Sequence, residues 1–138
     1  MSSKFRVQQH FLTIVDDMSP QELDALILNG FDVNGEVIVD EIKMSPLGVA
    51  CFLKSHPCSV DTLLCHGANV EVGMDSLTPL EMLVSQRQTE PPVDTPEWNV
   101  YHHRMRVSAK TLVTFGAEFK FSDDILRNFQ STVSSLLD

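Results

Sequence analysis

The stretch LLCHGANV at residues 63–70 decides the fold, because the same order of residue types recurs at residues 26–33 (LILNGFDV) and 112–119 (LVTFGAEF). Each copy starts with two adjacent aliphatic residues and has a glycine at its fifth position. Two such aliphatic residues late in an amphipathic helix face the core, and a glycine can adopt the left-handed conformation that ends many helices. The three copies therefore predict three helices that end next to Gly30, Gly67 and Gly116.

A second motif recurs in Ser45-Pro46-Leu47 and Thr78-Pro79-Leu80, which start 33 residues apart, at positions 45 and 78. A serine or threonine before a helix can accept hydrogen bonds from the free backbone N–H groups of the first turn. Proline fits the first helical position, since its missing N–H is not needed there. The motif predicts two helices that begin at the prolines and bury the leucines.

The unit of helix, tight turn, helix, glycine and projecting loop, with its 33-residue period, resembles the ankyrin repeat. The Thr-Pro-Leu and Ser-Pro-Leu runs look like the family's Thr-Pro-Leu-His-x-Ala motif, and residues 67–70 are similar to its Gly-Ala-Asp/Asn-Val-Asn ending. The resemblance covers most of residues 19–120. It implies an all-α fold, an ankyrin-like helical solenoid of short antiparallel helix pairs with projecting loops.

The expected layout is a single ankyrin-repeat-like domain over residues 1–138. Its repeats are placed at residues 4–35, 36–73 and 74–120, with an insert at 87–101 and a cap helix at 122–137. The insert contains Pro91, Pro92 and Pro96, which cannot continue a helix. The predicted helices are 4–17, 21–29, 46–54, 59–66, 79–86, 101–115 and 122–137, with a short hairpin-like piece near 36–39.

Two positions depart from the family pattern. Gly48 and Glu81 stand where the family has a histidine after its Thr-Pro-Leu step. The hydrogen bonds that this histidine usually makes between neighbouring hairpin loops are therefore expected to be absent.

The resemblance also implies a binding surface, formed by the projecting loop tips and the exposed face of each first helix. Carried over by position, the candidate partner-binding residues are Met74, Asp75, Glu71, Glu36 and Asp40. The alternative is that these residues are ordinary solvated loop tips.

Trp98 and Tyr101, beside the proline-rich insert, are the second candidate for partner binding. They are the only tryptophan and tyrosine of the chain, and both residue types are frequent interface anchors. The alternative is that they pin the insert to the body of the domain.

Composition and charge narrow the class of partner. The 138 residues are 43% apolar, which is enough for one core, and 19 acids against 10 Lys and Arg give a net charge of −9. That excess argues against nucleic acids and anionic membranes, both of which attract positive charge. The acid-rich residues 1–42 would favour a basic partner or serve as a solvated face. By contrast, the start of the predicted helix 101–115 carries a basic cluster, which would be either a solvated helix face or a binding site for an acidic segment of a partner. The cluster consists of His102, His103, Arg104, Arg106 and Lys110.

The cysteines and the catalytic and targeting motifs were considered last. Cys51, Cys58 and Cys65 are evenly spaced but contain no C-x-x-C pair, so we expect buried, reduced thiols rather than a metal site or disulfides. No nucleophile elbow, phosphate-binding loop or zinc-protease motif is found. No stretch is long and apolar enough for a signal peptide or a membrane helix.

The sequence therefore predicts a protein–protein interaction module, an adaptor or recognition domain. We expect no enzymatic activity, cofactor or metal, no nucleic-acid or membrane partner, and a monomer. The expected location of the protein is the cytoplasm. If the protein is a pathogen effector, this would be the cytoplasm of the host cell. Two alternatives stay open: a stand-alone inhibitor of a partner enzyme, and a substrate-recruiting domain of a larger effector enzyme.

Overall fold

A computed structural model describes the protein over residues 9–14, 20–53, 57–74, 77–85 and 91–136. Residues 9–14 are helical, and the helices that follow are α1 (Pro20–Leu28), α2 (Pro46–Phe52), α3 (Pro57–Cys65), α4 (Pro79–Val84), α5 (Pro96–Thr114), α6 (Asp123–Asn128) and α7 (Gln130–Ser135). Strands β1 (Val37–Val39) and β2 (Ile42–Met44) pair as an antiparallel hairpin between α1 and α2. The chain is mostly helical, as predicted.

The predicted helix starts are confirmed at α2 and α4. The Ser45 hydroxyl accepts a hydrogen bond from the Gly48 N–H at 3.0 Å, and the Thr78 hydroxyl accepts one from the Glu81 N–H at 3.2 Å. In both helices proline follows the capping residue. Leu47 and Leu80 lie in the core, because the caps set the helices with these positions facing inward.

The predicted helix ends are confirmed at all three glycines. Gly30, Gly67 and Gly116 have φ angles of 109°, 92° and 105°, in the region that favours glycine. The residue after each glycine donates its N–H to the carbonyl of the first leucine of the stretch, at 3.0 to 3.2 Å: Phe31 to Leu26, Ala68 to Leu63 and Ala117 to Leu112. This bond satisfies a carbonyl that the helix end would otherwise leave open.

The helices form two layers. In one layer α2 packs against α4, and in the other α3 packs between α1 and α5. Within each successive pair the two helices also touch, α2 with α3 and α4 with α5. The main core lies between the layers, and the largest side chains fully buried there are Phe11, Ile14, Leu23, Met44, Leu47, Leu63, Leu80, Met82, Leu83, Met105 and Leu112.

The third outer helix starts earlier than predicted. It begins at Pro96 rather than near Tyr101, because the Thr95 hydroxyl accepts from the Trp98 N–H at 3.1 Å and Pro96 takes the first helical position. The prediction treated Pro96 as a helix breaker, whereas here proline starts the helix. The second half of the predicted insert is thus an N-terminal extension of α5.

The C-terminal end differs from the single helix predicted over residues 122–137. Helices α6 and α7 are separated at Phe129, whose φ and ψ of −131° and 31° leave the helical region. The break lets Ile125 and Val133 reach the same small apolar cluster on Val84 of α4. Residues 137–138 lie outside the described part.

The cysteine prediction is right for one residue and wrong for two. Cys51 is fully buried in α2, and burial raises the pKa of its thiol. Cys58 and Cys65 are exposed, since they lie on the outer face of α3 while Val60, Leu63 and Leu64 face inward.

A candidate protein-binding edge

Three projecting loops follow the three glycines, and side chains at equivalent positions tie each loop to the next. Asn34 stands four positions after Gly30; its Oδ1 accepts from the Asn69 N–H at 2.8 Å and its Nδ2 donates to the Gly67 carbonyl at 3.1 Å. Glu71 stands four positions after Gly67, and its Oε1 accepts from the Glu118 N–H at 3.1 Å. We call residues 31–45, 68–74 and 117–122 the loop edge. These bonds hold its loops side by side in chain order.

The first loop carries the β1–β2 hairpin. Val39 pairs with Ile42, so the turn consists of Asp40 and Glu41, both left-handed with φ of 50° and 68°. Two central residues with positive φ are characteristic of a type I′ hairpin turn, which matches the twist of the strands. The hairpin buries Val37 and Val39 and leaves Ile38 half exposed.

Glu36 and Asp40, two predicted site residues, both lie on this hairpin and are exposed. The Glu36 carboxylate is 3.7 Å from the Lys43 ammonium, and both side chains are about two-thirds exposed at 67% and 70%. An ion pair in such contact with water contributes little to stability.

The second loop is fastened to the first at Ser45. The Ser45 N–H donates to the Gly73 carbonyl at 2.7 Å, and its hydroxyl donates to the Val72 carbonyl at 2.5 Å. Gly73 packs closely against the first turn of α4, where a Cβ would lie 2.6 Å from the Met82 Sδ. The loop backbone therefore has no room for a side chain at position 73.

Met74 and Asp75 were the leading residues predicted from the loop tip. Met74 is partly buried and exchanges two backbone hydrogen bonds of 3.0 Å with Leu77. Asp75 lies outside the described residues. Met74 therefore belongs partly to the core, where it packs against the main cluster.

Glu81 joins the start of α4 to the third loop. Its carboxylate accepts from the Thr78 N–H at 3.2 Å on the same helix and from the Ser122 N–H at 2.7 Å on the third loop. Burial favours its neutral form, but hydrogen bonds from the backbone N–H groups and the hydroxyls of Ser122 and Thr78 together outweigh burial and hold the pKa of Glu81 below its ordinary value of 4.5. The carboxylate therefore connects the start of α4 with the third loop.

A pocket of about 230 Å³ opens between the second loop, the third loop and the start of α4. Its walls are formed by three glutamates, one lysine, one aromatic ring and two hydroxyl residues: Glu71, Glu81, Glu118, Lys120, Phe121, Thr78 and Ser122. The lining residues thus include more carboxylates than cations, and Phe121 adds an aromatic ring.

The loop edge is strongly acidic and partly apolar. It exposes six acidic residues against two lysines, namely Asp32, Glu36, Asp40, Glu41, Glu71 and Glu118 against Lys43 and Lys120. Four large apolar side chains on the same loops are 41% to 51% exposed: Ile38, Ile42, Val72 and Phe119.

Trp98 and Tyr101 lie on α5 rather than in a loop, and away from the loop edge. Sixteen residues separate Trp98 from Thr114, the last residue of α5, which places the tryptophan about 24 Å along the helix axis from the third loop. Both rings pack on His102, with ring centroids 4.2 Å and 5.3 Å apart. The Trp98 Nε1 is buried and has no hydrogen-bond acceptor within the described ranges. The contacts favour packing for the two aromatic residues.

The predicted basic cluster is not a uniform solvated face. His102 is buried with only 5% of its surface exposed, and the Arg106 Nε is buried as well. His103 and Lys110 are exposed, while Arg104 is half-buried. The difference arises because α5 is covered along one side by α3 and α4.

The ladder of Asn34 and Glu71 was missed from the sequence, although a signal existed. Both residues stand at the same distance after the recurring glycine and can accept a hydrogen bond. Residues 34 and 71 directly follow the recurring stretches 26–33 and 63–70, so the repeat itself carries the signal. No comparable signal pointed to the Glu81–Ser122 bond, which joins residues far apart in the chain.

The chain matches no protein-family model, and a search of curated protein sequences gives no match either.

In the part of the chain that the structure describes, no helix has the length and apolar content to cross a bilayer. The same residues contain no group of three or more His, Cys, Asp or Glu side chains suited to hold a metal ion.

Proposed function

We propose that the chain is an ankyrin-like helical solenoid that binds another protein through its loop edge, as an adaptor or recognition domain. The observation that carries the proposal is the ladder from Asn34 to the second loop and from Glu71 to the third. Equivalent side chains make equivalent bonds, which supports a stack of similar units rather than an irregular helical fold.

The exposed apolar side chains support the choice of this surface. Ile38, Ile42, Val72 and Phe119 leave about half of their surface in water although each stands on a loop held in place by hydrogen bonds. A rigid surface with exposed apolar groups binds with a small loss of conformational entropy. The loop edge therefore combines apolar contact area with a fixed shape.

A reducing, cytoplasmic environment fits the same proposal. Cys58 and Cys65 are exposed thiols without a disulfide partner in the described ranges. Such thiols persist in compartments where glutathione and thioredoxin keep cysteines reduced.

The proposal is tested with two matched double variants of the tagged protein. Ile38→Ser with Val72→Ser alters the loop edge, and Leu28→Ser with Val113→Ser alters similarly exposed apolar residues at the ends of α1 and α5. Proteins captured from a cytosolic extract are compared by quantitative mass spectrometry, after circular dichroism has shown that both variants fold. We expect partners captured by the unaltered protein to be lost with the loop-edge variant and kept with the control.

Capture that survives the loop-edge change but is lost with Trp98→Ala would move the binding surface to α5 and overturn the proposal. Once a partner enzyme is in hand, its activity separates the two remaining roles. Activity that disappears on binding identifies an inhibitor, whereas unchanged activity identifies an adaptor.

A further inference from the structure

We propose that the loop edge binds a basic segment of its partner protein, and that a lysine or arginine of that segment enters the pocket beside Glu71, Glu118 and Phe121. The proposal rests on the proposed function, because it names the chemistry of the partner that the same surface would take.

The charge of the loop edge carries the first step. Six exposed acids stand there against two lysines, whereas the exposed Lys110 lies on α5 and the exposed Arg127 on α6. A surface of this sign repels nucleic acids and anionic lipids and attracts cations from a distance. The occupant that fits is a positively charged protein segment.

The exposed apolar side chains carry the second step. Ile38, Ile42 and Val72 lie on the first two loops among the acids, and Phe119 lies on the third. A purely ionic ligand would leave these side chains in water. The complementary segment therefore contains apolar residues as well as lysine or arginine.

The pocket carries the third step, because it combines carboxylates with an aromatic wall. Its volume of about 230 Å³ is lined by Glu71, Glu118 and Phe121 together with the buried Glu81, and the three glutamates outnumber the one cation of the lining, Lys120. Lysine and arginine have apolar stems and charged ends, so one side chain can pack its stem on Phe121 and direct its charge to the glutamates. The pocket thereby serves as the anchor point for the basic segment.

The chemistry of the ligand is tested by peptide selection. A phage-displayed library of random linear peptides is selected for binding to the immobilised full chain. Enriched peptides are synthesised and their binding site is mapped by changes in backbone amide NMR signals. We expect enrichment of lysine or arginine together with apolar residues, and signal changes at residues 31–45, 68–74 and 117–122.

Two charge-neutralising double variants test the pocket. Glu71→Gln with Glu118→Gln removes two charges at the pocket, while the amide oxygen of the new side chain at position 71 can still accept from the backbone N–H of residue 118. Glu22→Gln with Glu97→Gln removes the same charge from exposed positions in the first turns of α1 and α5. The pocket variant is expected to bind the selected basic peptide roughly three- to tenfold more weakly, the control less than about twofold. Equal weakening by both pairs would overturn a specific pocket.

The outcomes separate this proposal from the proposed function. Uncharged or acidic peptides that bind at the loop edge would overturn the basic partner and leave a binding edge in place. Peptides that bind only at α3 or α5, or no enrichment at all, would overturn both. The unaltered protein could also form dimers as its concentration rises, and the pocket variant could fail to do so. That result would identify a second copy of the chain as the occupant and would overturn the proposal of a separate basic partner.

Discussion

At the scale of single residues, the contact between α2 and the second loop depends on two glycines that have no room for a side chain. A Cβ on Gly73 would lie 2.6 Å from both the Leu77 carbonyl oxygen and the Met82 Sδ, and a Cβ on Gly48 would lie 2.9 Å from the same sulfur. The sequence motif did not single out either glycine for this reason. Close approach of the two backbones, rather than backbone conformation, requires glycine here.

Gly73→Ala is expected to lower the free energy of unfolding by about 1–3 kcal/mol, the usual cost of overpacking. The added methyl group must displace the Leu77 backbone, which cannot move without breaking the bonds between Met74 and Leu77. Urea unfolding followed by circular dichroism measures the change. Gly35→Ala is the control, because its Cβ would meet only Asp32 at 3.4 Å. Equal losses in both variants would contradict the close packing.

The hairpin turn at Asp40 and Glu41 predicts which of two substitutions at position 41 gives the more stable protein. Glu41 has a φ of 68°, which strains a residue with a side chain but suits glycine. Glu41→Gly should therefore be more stable than Glu41→Ala by about 1 kcal/mol, since alanine keeps the strain and removes the same charge. Thermal unfolding of the two variants checks the order. A more stable alanine variant would rule out the left-handed turn.

At the scale of elements, Glu81 joins the start of α4 to the loop before α6. It completes a reciprocal capping arrangement with Thr78 and also accepts from the Ser122 N–H. The carboxylate thus accepts hydrogen bonds from backbone N–H groups of two chain segments.

The lowered pKa of Glu81 gives a defined pH dependence. Since its pKa is lower in the folded than in the unfolded protein, its stabilising contribution is complete above the ordinary value of 4.5 and is lost as pH falls through the lowered folded value. The stability advantage of the unaltered protein over Glu81→Gln should therefore be largest near neutral pH and shrink in acid. Urea titrations between neutral and acidic pH measure it.

Glu97→Gln provides the reference for this experiment, because Glu97 is exposed in the first turn of α5. Its stability difference should change little over the same range. A Glu81→Gln difference that grows in acid would contradict the assigned hydrogen bonds.

At the scale of the whole molecule, two apolar clusters of unequal size hold the layers together. The main cluster runs from Phe11 to Ala117, while a smaller one joins Val84 of α4 to Ile125 and Val133 of the last two helices. The C-terminal helices therefore cover the end of the stack with few buried side chains.

Helices α6 and α7 are expected to open at a lower free energy than α2, α3 and α4, because less apolar surface attaches them. Native-state hydrogen exchange measures this directly: amides of residues 125–135 should exchange earlier than those of residues 47–52 and 60–65. Substituting Val133 with Ala should widen the gap without changing protection in α3. Uniform protection along the chain would show that the two clusters open as one unit.

The local motifs predicted a large part of the fold. They did not predict the long-range hydrogen bonds or the residue at which α5 begins. Helix starts at Ser45 and Thr78 and the glycine-terminated helix ends follow from backbone chemistry within one turn, so the neighbouring residues suffice to identify them. The start of α5 at Pro96 was missed, since proline both breaks helices and begins them, and only the cap at Thr95 distinguishes the two. The exposure of Cys58 and Cys65 was missed because it depends on which face of α3 meets its neighbours.

The amino-acid sequence by itself determined where most helices begin and end, because caps, prolines and left-handed glycines act through hydrogen bonds and sterics of adjacent residues. Only the tertiary structure decided that Asn34, Glu71 and Glu81 bond across loops and that acids, apolar side chains and a pocket meet on one edge. Those features depend on how close the stacked loops lie, which is set by packing between residues distant in the chain.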